Sequence, residues 1–319
     1  MHPTLRIPAA FALLLALVLL AAAPPREPLD YLDYHRAYAE VEAQIVAEDF
    51  APAEARLDQL LEQYDVKFAK DLVVAAQLCV LNKHPEKALQ YLGRALEKGV
   101  RVETLHNIPL LHTRLTPADW QQLREQEPEA RKRYFSRIDT ALFREFHRRF
   151  QEEQDNKGQE RYRDIVNANY QRIKSLLEQG RFPGEALIGL DDHRYAASAS
   201  DGTLSNSKVI ATLQHYDYPL GETGEAPWLD AIHQGLLHPR EYAVIYNFEK
   251  SRVSVLYRHS KKSWPALPDR WFNFPFAPQS EQLDRVNADR YALGICSFET
   301  DRKKDAVERK YGIRVDFNY

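Results

Sequence analysis

The feature that most limits what this chain can become is a spacing. From Pro28 to about Lys98 apolar residues recur every three or four positions, so the segment reads as helix after helix. "FAPAEARLDQLLEQY" and "KHPEKALQYLGRALEKG" align with Pro52 over Pro85 and Ala55 over Ala88, an offset of 33 residues. The preceding stretches keep that offset, with Val41 over Val74, Ala43 over Ala76 and Ile45 over Leu78. A helix pair repeated at this length cannot bury its apolar face alone and must stack on a neighbour. Only two copies are visible, so later helices are expected to cap the array.

Paired helices at this period, with a small residue where the second helix packs closely, resemble tetratricopeptide-type repeats. The resemblance implies that residues 24–128 form a helical-repeat region presenting a surface to a protein partner. "TPADWQQLREQ" supplies one further helix, with Thr116 as N-cap, Pro117 at the first helical position and Trp120 as a large packing residue. A longer amphipathic helix is expected from Glu129 to about Glu153, because Phe135, Ile138, Leu142, Phe146 and Phe150 recur at helical spacing. Its Arg and Lys residues alternate with Asp and Glu, which describes a solvated outer face rather than a basic binding surface.

The first 23 residues read differently. A basic start at Arg6 precedes an apolar run of 17 residues, Ile7 to Ala23, and then a Pro pair, the layout of a secretory signal. The run is also at the lower limit for crossing a bilayer, so residues 7–23 serve as a cleaved signal or as an N-terminal anchor. The expected location is therefore exported, periplasmic or secreted, with membrane attachment only through that segment. Removing it takes one Arg and no acid, moving the formal charge from −3 to −4. A mildly acidic chain lacks the field of a nucleic-acid binder. Cys79 and Cys296 sit in apolar stretches and read as small buried hydrophobes rather than a disulfide pair.

Beyond Gly158 a helix carries Tyr162, Ile165, Val166, Tyr170, Ile173 and Leu177 and ends at Gly180. "RFPGEALIGLDDHRYAASASDGTLSNS" is loop by composition. "YAVIYNFEKSRVSVLYRH" fits helix then strand, or two strands turning at Glu249-Lys250-Ser251. The expected fold class is mainly α: tetratricopeptide-like hairpins, then a mostly helical α+β domain over 129–319 with at most a short β-hairpin.

From about Phe143 onward, "EEQDNK", "NANYQRIKSLLEQGRFPGEALIG", "LQHYD", "REYAVIYNF" and "NADRYALGICSFE" follow in an order that resembles an uncharacterised bacterial domain family, catalogued as a domain of unknown function and often exported. Phe182, Pro183, Gly189, Gln214, His215, Arg290 and Gly294 stand at matching places. Glu153-Gln154 with Lys157 replaces an expected Asp-Gln and Arg, and Asn247-Phe248 replaces Asp-Arg. The resemblance implies domain identity and brings no activity with it.

Three polar groups are candidates for a site. Gln214, His215 and Arg290 are the binding candidates. His215 is the one group whose imidazole suits acid-base work near neutrality, and Asp217 or Asp191 would orient it if the chain were a hydrolase. On a helix from Lys208 to Asp217, capped by Ser205 or Ser207, Val209, Ile210, Leu213 and Tyr216 share one face, and His215 points to a second wall or to solvent. His193, His215, His233, His238 and His259 fall within 67 residues, yet His233 and His238 diverge on a helix and no Cys or HExxH pair joins them, so no metal and no cofactor is expected. Trp264, Trp271, Phe272, Phe274 and Phe276 read as rings covering the core. The expectation is an exported binding protein that meets a protein partner, and also a small ligand, without being an enzyme; the alternative is a cell-envelope hydrolase using His215.

Overall fold

The computed structural model describes residues 29–65, 67–190, 207–259, 270, 272 and 280–315. The N-terminal segment 1–23, the loop holding Asp191, Asp192 and His193, the serines at 198, 200 and 205, and Trp264, Trp271, Phe274 and Phe276 lie outside the described residues. Within them the chain is all helix: α1 (Tyr31–Val46), α2 (Phe50–Gln63), α3 (Ala69–Leu81), α4 (Pro85–Glu97), α5 (Val102–His106), α6 (Pro109–Arg114), α7 (Pro117–Arg137), α8 (Thr140–Asp155), α9 (Tyr162–Glu178), α10 (Glu185–Ile188), α11 (Ser207–Tyr216), α12 (Pro219–Thr223), α13 (Ala226–His233), α14 (Pro239–His259), α15 (Ser280–Ala292) and α16 (Phe298–Tyr311). No strand occurs among the described residues. None of their helices is long and apolar enough to cross a membrane.

The mainly helical class holds, and the hairpin does not. Tyr242 to His259 lies within the single helix α14. Tyr242, Ala243, Ile245, Tyr246 and Glu249 are all buried, a spacing of three and four that only a helix presents to one wall. The helix expected over 129–153 is also divided. α7 runs through Pro128 to Arg137, and α8 restarts after Asp139, whose carboxylate caps the Leu142 N–H at 3.0 Å. The Asp139 N–H is taken by the carbonyl of Leu187 at 2.9 Å, so the break is where α10 docks.

The two helical pairs α1–α2 and α3–α4 are present, but their register is not the one the prolines indicate. The turns match where Glu48 (φ 65°) and Lys83 (φ 66°) both adopt the left-handed conformation, an offset of 35 residues. At that offset Ala53 falls on Ala88, Leu57 on Leu92, Leu60 on Ala95 and Leu61 on Leu96, all buried. Ala55 is exposed. Proline is tolerated throughout a helix's first turn, so Pro52 at the third helical position and Pro85 at the first do not mark equivalent places.

Both ends of the array are capped. α7 packs on α4, and α16 packs on α1. The chain then returns to the repeats: the buried Gln77 amide donates to the carbonyl of Arg314 at 2.9 Å and accepts its N–H at 2.6 Å. Val307, Ile313 and Val315 join the repeat core of Val41, Ile45, Leu72 and Leu92. A second core gathers Tyr170, Leu213, Trp228, Tyr242 and Phe272, and it takes Leu32 from α1. Each core thus borrows residues from the far side of the sequence.

The register has a direct test. Ala53→Leu and Ala88→Leu force extra methylenes into closed helix–helix contacts and should each cost about 1–3 kcal/mol in urea unfolding. Ala55→Leu, on the exposed face, should change stability by less than about 0.5 kcal/mol. The opposite ranking would restore the 33-residue register.

Candidate functional site

Two of the sequence candidates enter one network. Val209, Ile210 and Leu213 of α11 face the second core, as their spacing requires. The second wall is α8, which meets Thr212 and His215. There the fully buried Glu153 bonds His215 Nδ1 and accepts from Thr212 Oγ1 and Asn169 Nδ2, each at 3.1 Å. The His215 side chain is 24% exposed, and its Nε2 has no hydrogen-bond partner among the described residues. Asp217, the expected orienter, instead pairs with Arg163 at 3.0 Å. The acid behind His215 is Glu153, the residue standing where a motif acid was expected; it comes from a helix 62 positions earlier. The Gln214 side chain has no hydrogen-bond partner among the described residues and is half-buried.

Arg290 lies elsewhere. It is buried in the seam between α1, α14, α15 and α16, donating to the carbonyls of Cys296 at 2.6 Å and Phe272, and to Asp301. Around it Arg240 grips Asp301 through both carboxylate oxygens, at 2.7 and 3.0 Å. Lys304 bridges Asp301 at 2.8 Å and Glu42 of α1 at 2.6 Å. Burial opposes ionisation of Glu42, but Lys304 and Arg240 outweigh it and hold its carboxyl at about 2. Among the described residues, His215 and Arg290 therefore belong to separate hydrogen-bond networks. Cys79 and Cys296 are free thiols, and Cys296 belongs to this seam, 3.2 Å from Asp301.

A second layer adjoins the seam on α3. Burial pushes the Asp71 carboxyl up to about 6 against the pull of Lys70 and the Tyr34 hydroxyl, which donates to it at 2.5 Å. His238 meets His35 and Phe68 edge to face, with ring centroids 4.9 Å apart in each pair, and the His35 and Phe68 rings lie tilted at 5.3 Å. Burial, then Lys70, lowers His35 to about 3, and burial lowers His238 strongly as well. His233, by contrast, reaches Asp30 at 2.8 Å near the surface.

A concavity lined by several charged side chains opens where the repeats meet α7 and α10. It encloses about 550 Å³ and is lined by Tyr64, Lys67, Arg94, Lys98, Arg137 and Glu185, among others. That volume suits a small molecule. Tyr134 forms one wall, held between Gly99 and Gly189: a Cβ on Gly99 would lie 2.6 Å from the ring, and one on Gly189 2.0 Å from the hydroxyl. Both glycines have positive φ, so no other residue fits without strain. Glu185 follows Phe182 and Pro183, whose burial fixes the loop. Its Oε1 accepts the Ala69 N–H at 2.6 Å, while its buried Oε2 has no hydrogen-bond partner among the described residues. Glu185 was not among the candidates of the sequence; the carboxylate within "FPGEALIG" was the available signal.

Fold and geometry together define the class: a mainly helical protein in which a capped pair of helical hairpins meets α7 and α10 around a polar cleft. In comparisons with known proteins, no protein-family model, no curated protein and no solved structure matches the chain.

Histidines kept neutral by burial tie stability to pH. Unfolded His35 takes a proton below about 6.5, whereas the folded chain refuses it until about 3, so stability falls as pH drops through that window. Asp71, raised in the folded state, contributes the opposite slope between about 6 and 4. His35→Phe should therefore shallow the acid-side loss by up to about 1.4 kcal/mol per pH unit, read from urea melts at several pH values. An unchanged slope would show that His35 is protonated in the folded chain.

Proposed function

We propose that this protein is an exported binding protein without catalytic activity, in which the cleft beside Tyr134 seats the ligand and the exposed repeat surface meets a protein partner. The observation that carries the reading is Glu185: a buried carboxyl lining a 550 Å³ cleft with one oxygen left unbonded. Several buried polar atoms lack a hydrogen-bond partner among the described residues, and Glu185 is the residue among them that lines this cleft. Export rests on residues 1–23, and the resemblance of the C-terminal part to an often exported uncharacterised family agrees with it. The net acidity speaks for a protein or small-molecule partner over a nucleic acid.

A photo-reactive residue at Gln90, one helical turn before Arg94, tests the reading in cells producing the full chain. Adducts should form there and be absent from a control site at Arg302 on α16. Equal labelling at both positions, or none at Gln90, counts against it.

A second reading has its own observation. Glu153 holds His215 by Nδ1 and leaves Nε2 open, half of the arrangement that activates a nucleophile in hydrolases. Under this reading Glu153, not Asp217, is the orienter. Turnover of an ester, peptide or glycan should then vanish in His215→Ala while the unfolding midpoint of that variant stays near wild type. A broad substrate screen without turnover removes the hydrolase and leaves the dyad as a structural tie between α8 and α11.

A further inference from the structure

The charges of α8 are sorted by face. Glu145 pairs with Arg149 at 2.8 Å and with Arg172 of α9 at 2.9 Å, on the side toward that helix. A different stripe runs along a groove of about 660 Å³, and every described residue lining it belongs to α8 or, as Asn156, caps it. On this stripe Arg144, His147 and Arg148 come first and Glu152 and Asp155 follow. Arg144, Arg148, Glu152 and Asp155 are exposed, and Phe143 and His147 are half-buried. No acid stands in the first turn of α8 and no base in the last. That order opposes the helix macrodipole, which favours acids at the N-terminus and bases at the C-terminus. A local rule broken in this way, with no compensation inside the helix, directs attention to a partner outside it.

Contacts within the chain leave the order in place. Glu152 reaches Arg161 at 3.1 Å, but both side chains are about half exposed and such a bridge is worth little. Asp155 accepts from Gln151 Nε2 at 2.7 Å. Neither Arg144 nor Arg148 has an ion-pair partner among the described residues. A two-fold axis crossing α8 between Arg149 and Phe150 turns the stripe onto itself. It sets Arg144 opposite Asp155 of a second copy, His147 opposite its Glu152 and Arg148 opposite its Gln151, and each pair occurs twice. A parallel copy would instead set Arg144 against Arg144 and Asp155 against Asp155. The stripe consists of two rows of residues four apart, and a row of this kind fits the groove between the rows of a like helix, crossing it at about −50°.

We propose that this face of α8 docks on the same face of a second copy of the chain, forming an antiparallel, isologous helix pair. The order of charge fixes the occupant. A uniformly basic or acidic partner would be repelled by half of the stripe, whereas the stripe turned end for end meets opposite charge at both ends. The inference is separate from the ligand cleft and from the His215 dyad, whose Glu153 lies on the opposite side of α8 and faces α11. One helix crossing buries less than a standard interface, so the association is weak and concentration-dependent. Because its charges are exposed, it is also screened by salt.

Sedimentation equilibrium of the full chain at low and high salt tests this. The dimer fraction should rise between about 1 and 200 µM protein and fall as salt is added. Asp155→Arg places like charge opposite Arg144 of the second copy and should weaken the dimer about tenfold or more. Arg144→Asp combined with Asp155→Arg in the same chain restores the opposition with the signs exchanged, so its dissociation constant should return to within about threefold of wild type. A second measurement leaves the outer charges untouched. Chains carrying Arg148→Cys, mixed with chains carrying Gln151→Cys, should on mild oxidation form the mixed disulfide in preference to either self-disulfide, because only the mixed pair stands opposite across the axis. Four results overturn the proposal: a chain monomeric to about 200 µM, a dimer that Asp155→Arg leaves unchanged, a dimer that the double exchange fails to restore, or random pairing of the two cysteine variants.

Discussion

The rest of the structure hangs on a buried ionic seam, Glu42 with Lys304, Asp301 and Arg240, closed by Arg290. Lys304 and Glu42 are 262 residues apart, so one contact joins the chain's first described helix to its last. Removing these charges from water costs several kcal/mol per ion, and mutual attraction offsets this only when the geometry is good. The bidentate grip of Arg240 on Asp301 and the carbonyls held by Arg290 supply that geometry. What the seam gives is placement: α16 is held against α1, and the tail after it lies along α3.

That placement makes the cleft. With the array closed at both ends, α10 and the loop before it are pressed against the start of α3, which brings Glu185 to the Ala69 N–H. Gly99 and Gly189 let the Tyr134 ring stand between two backbones and form a wall. A carboxyl in that position has lost its water and gained two acidic neighbours, so its protonation state is set by the assembled fold rather than by its own loop. The His215 site is the contrasting case. Its acid is buried and multiply bonded, which fits a tie between helices as well as it fits a base.

The legible parts of the sequence were those where period and hydrophobicity coincide. The helix of His215 was readable because Val209, Ile210 and Leu213 fall on one face. The capping box at Thr116 and Asp119 was half readable from Thr116 and Pro117 alone. The repeat was legible as a repeat, while its register differs by two residues from the one the prolines indicate, because Pro52 and Pro85 occupy different positions of the first turn. Tyr242–Glu249 was ambiguous, since a helix buried on a broad face also satisfies alternation over a few residues. Nothing in "FETDRKKDAVERKY" distinguishes Asp301 and Lys304, both in the seam, from the exposed Arg302 and Lys303 beside them.

By itself, then, the sequence determined that the chain is helical, that two hairpins begin it, and which apolar faces must be covered. These follow from local spacing, and local spacing is written in consecutive residues. Only the tertiary structure decided that Glu153 rather than Asp217 stands behind His215, that Arg290 belongs to a buried ionic seam, and that Glu185 lies buried beside a cleft. Each of those depends on a partner far away in sequence. A charged side chain facing solvent and one facing an opposite charge in the interior produce the same pattern until the neighbouring helix is in place.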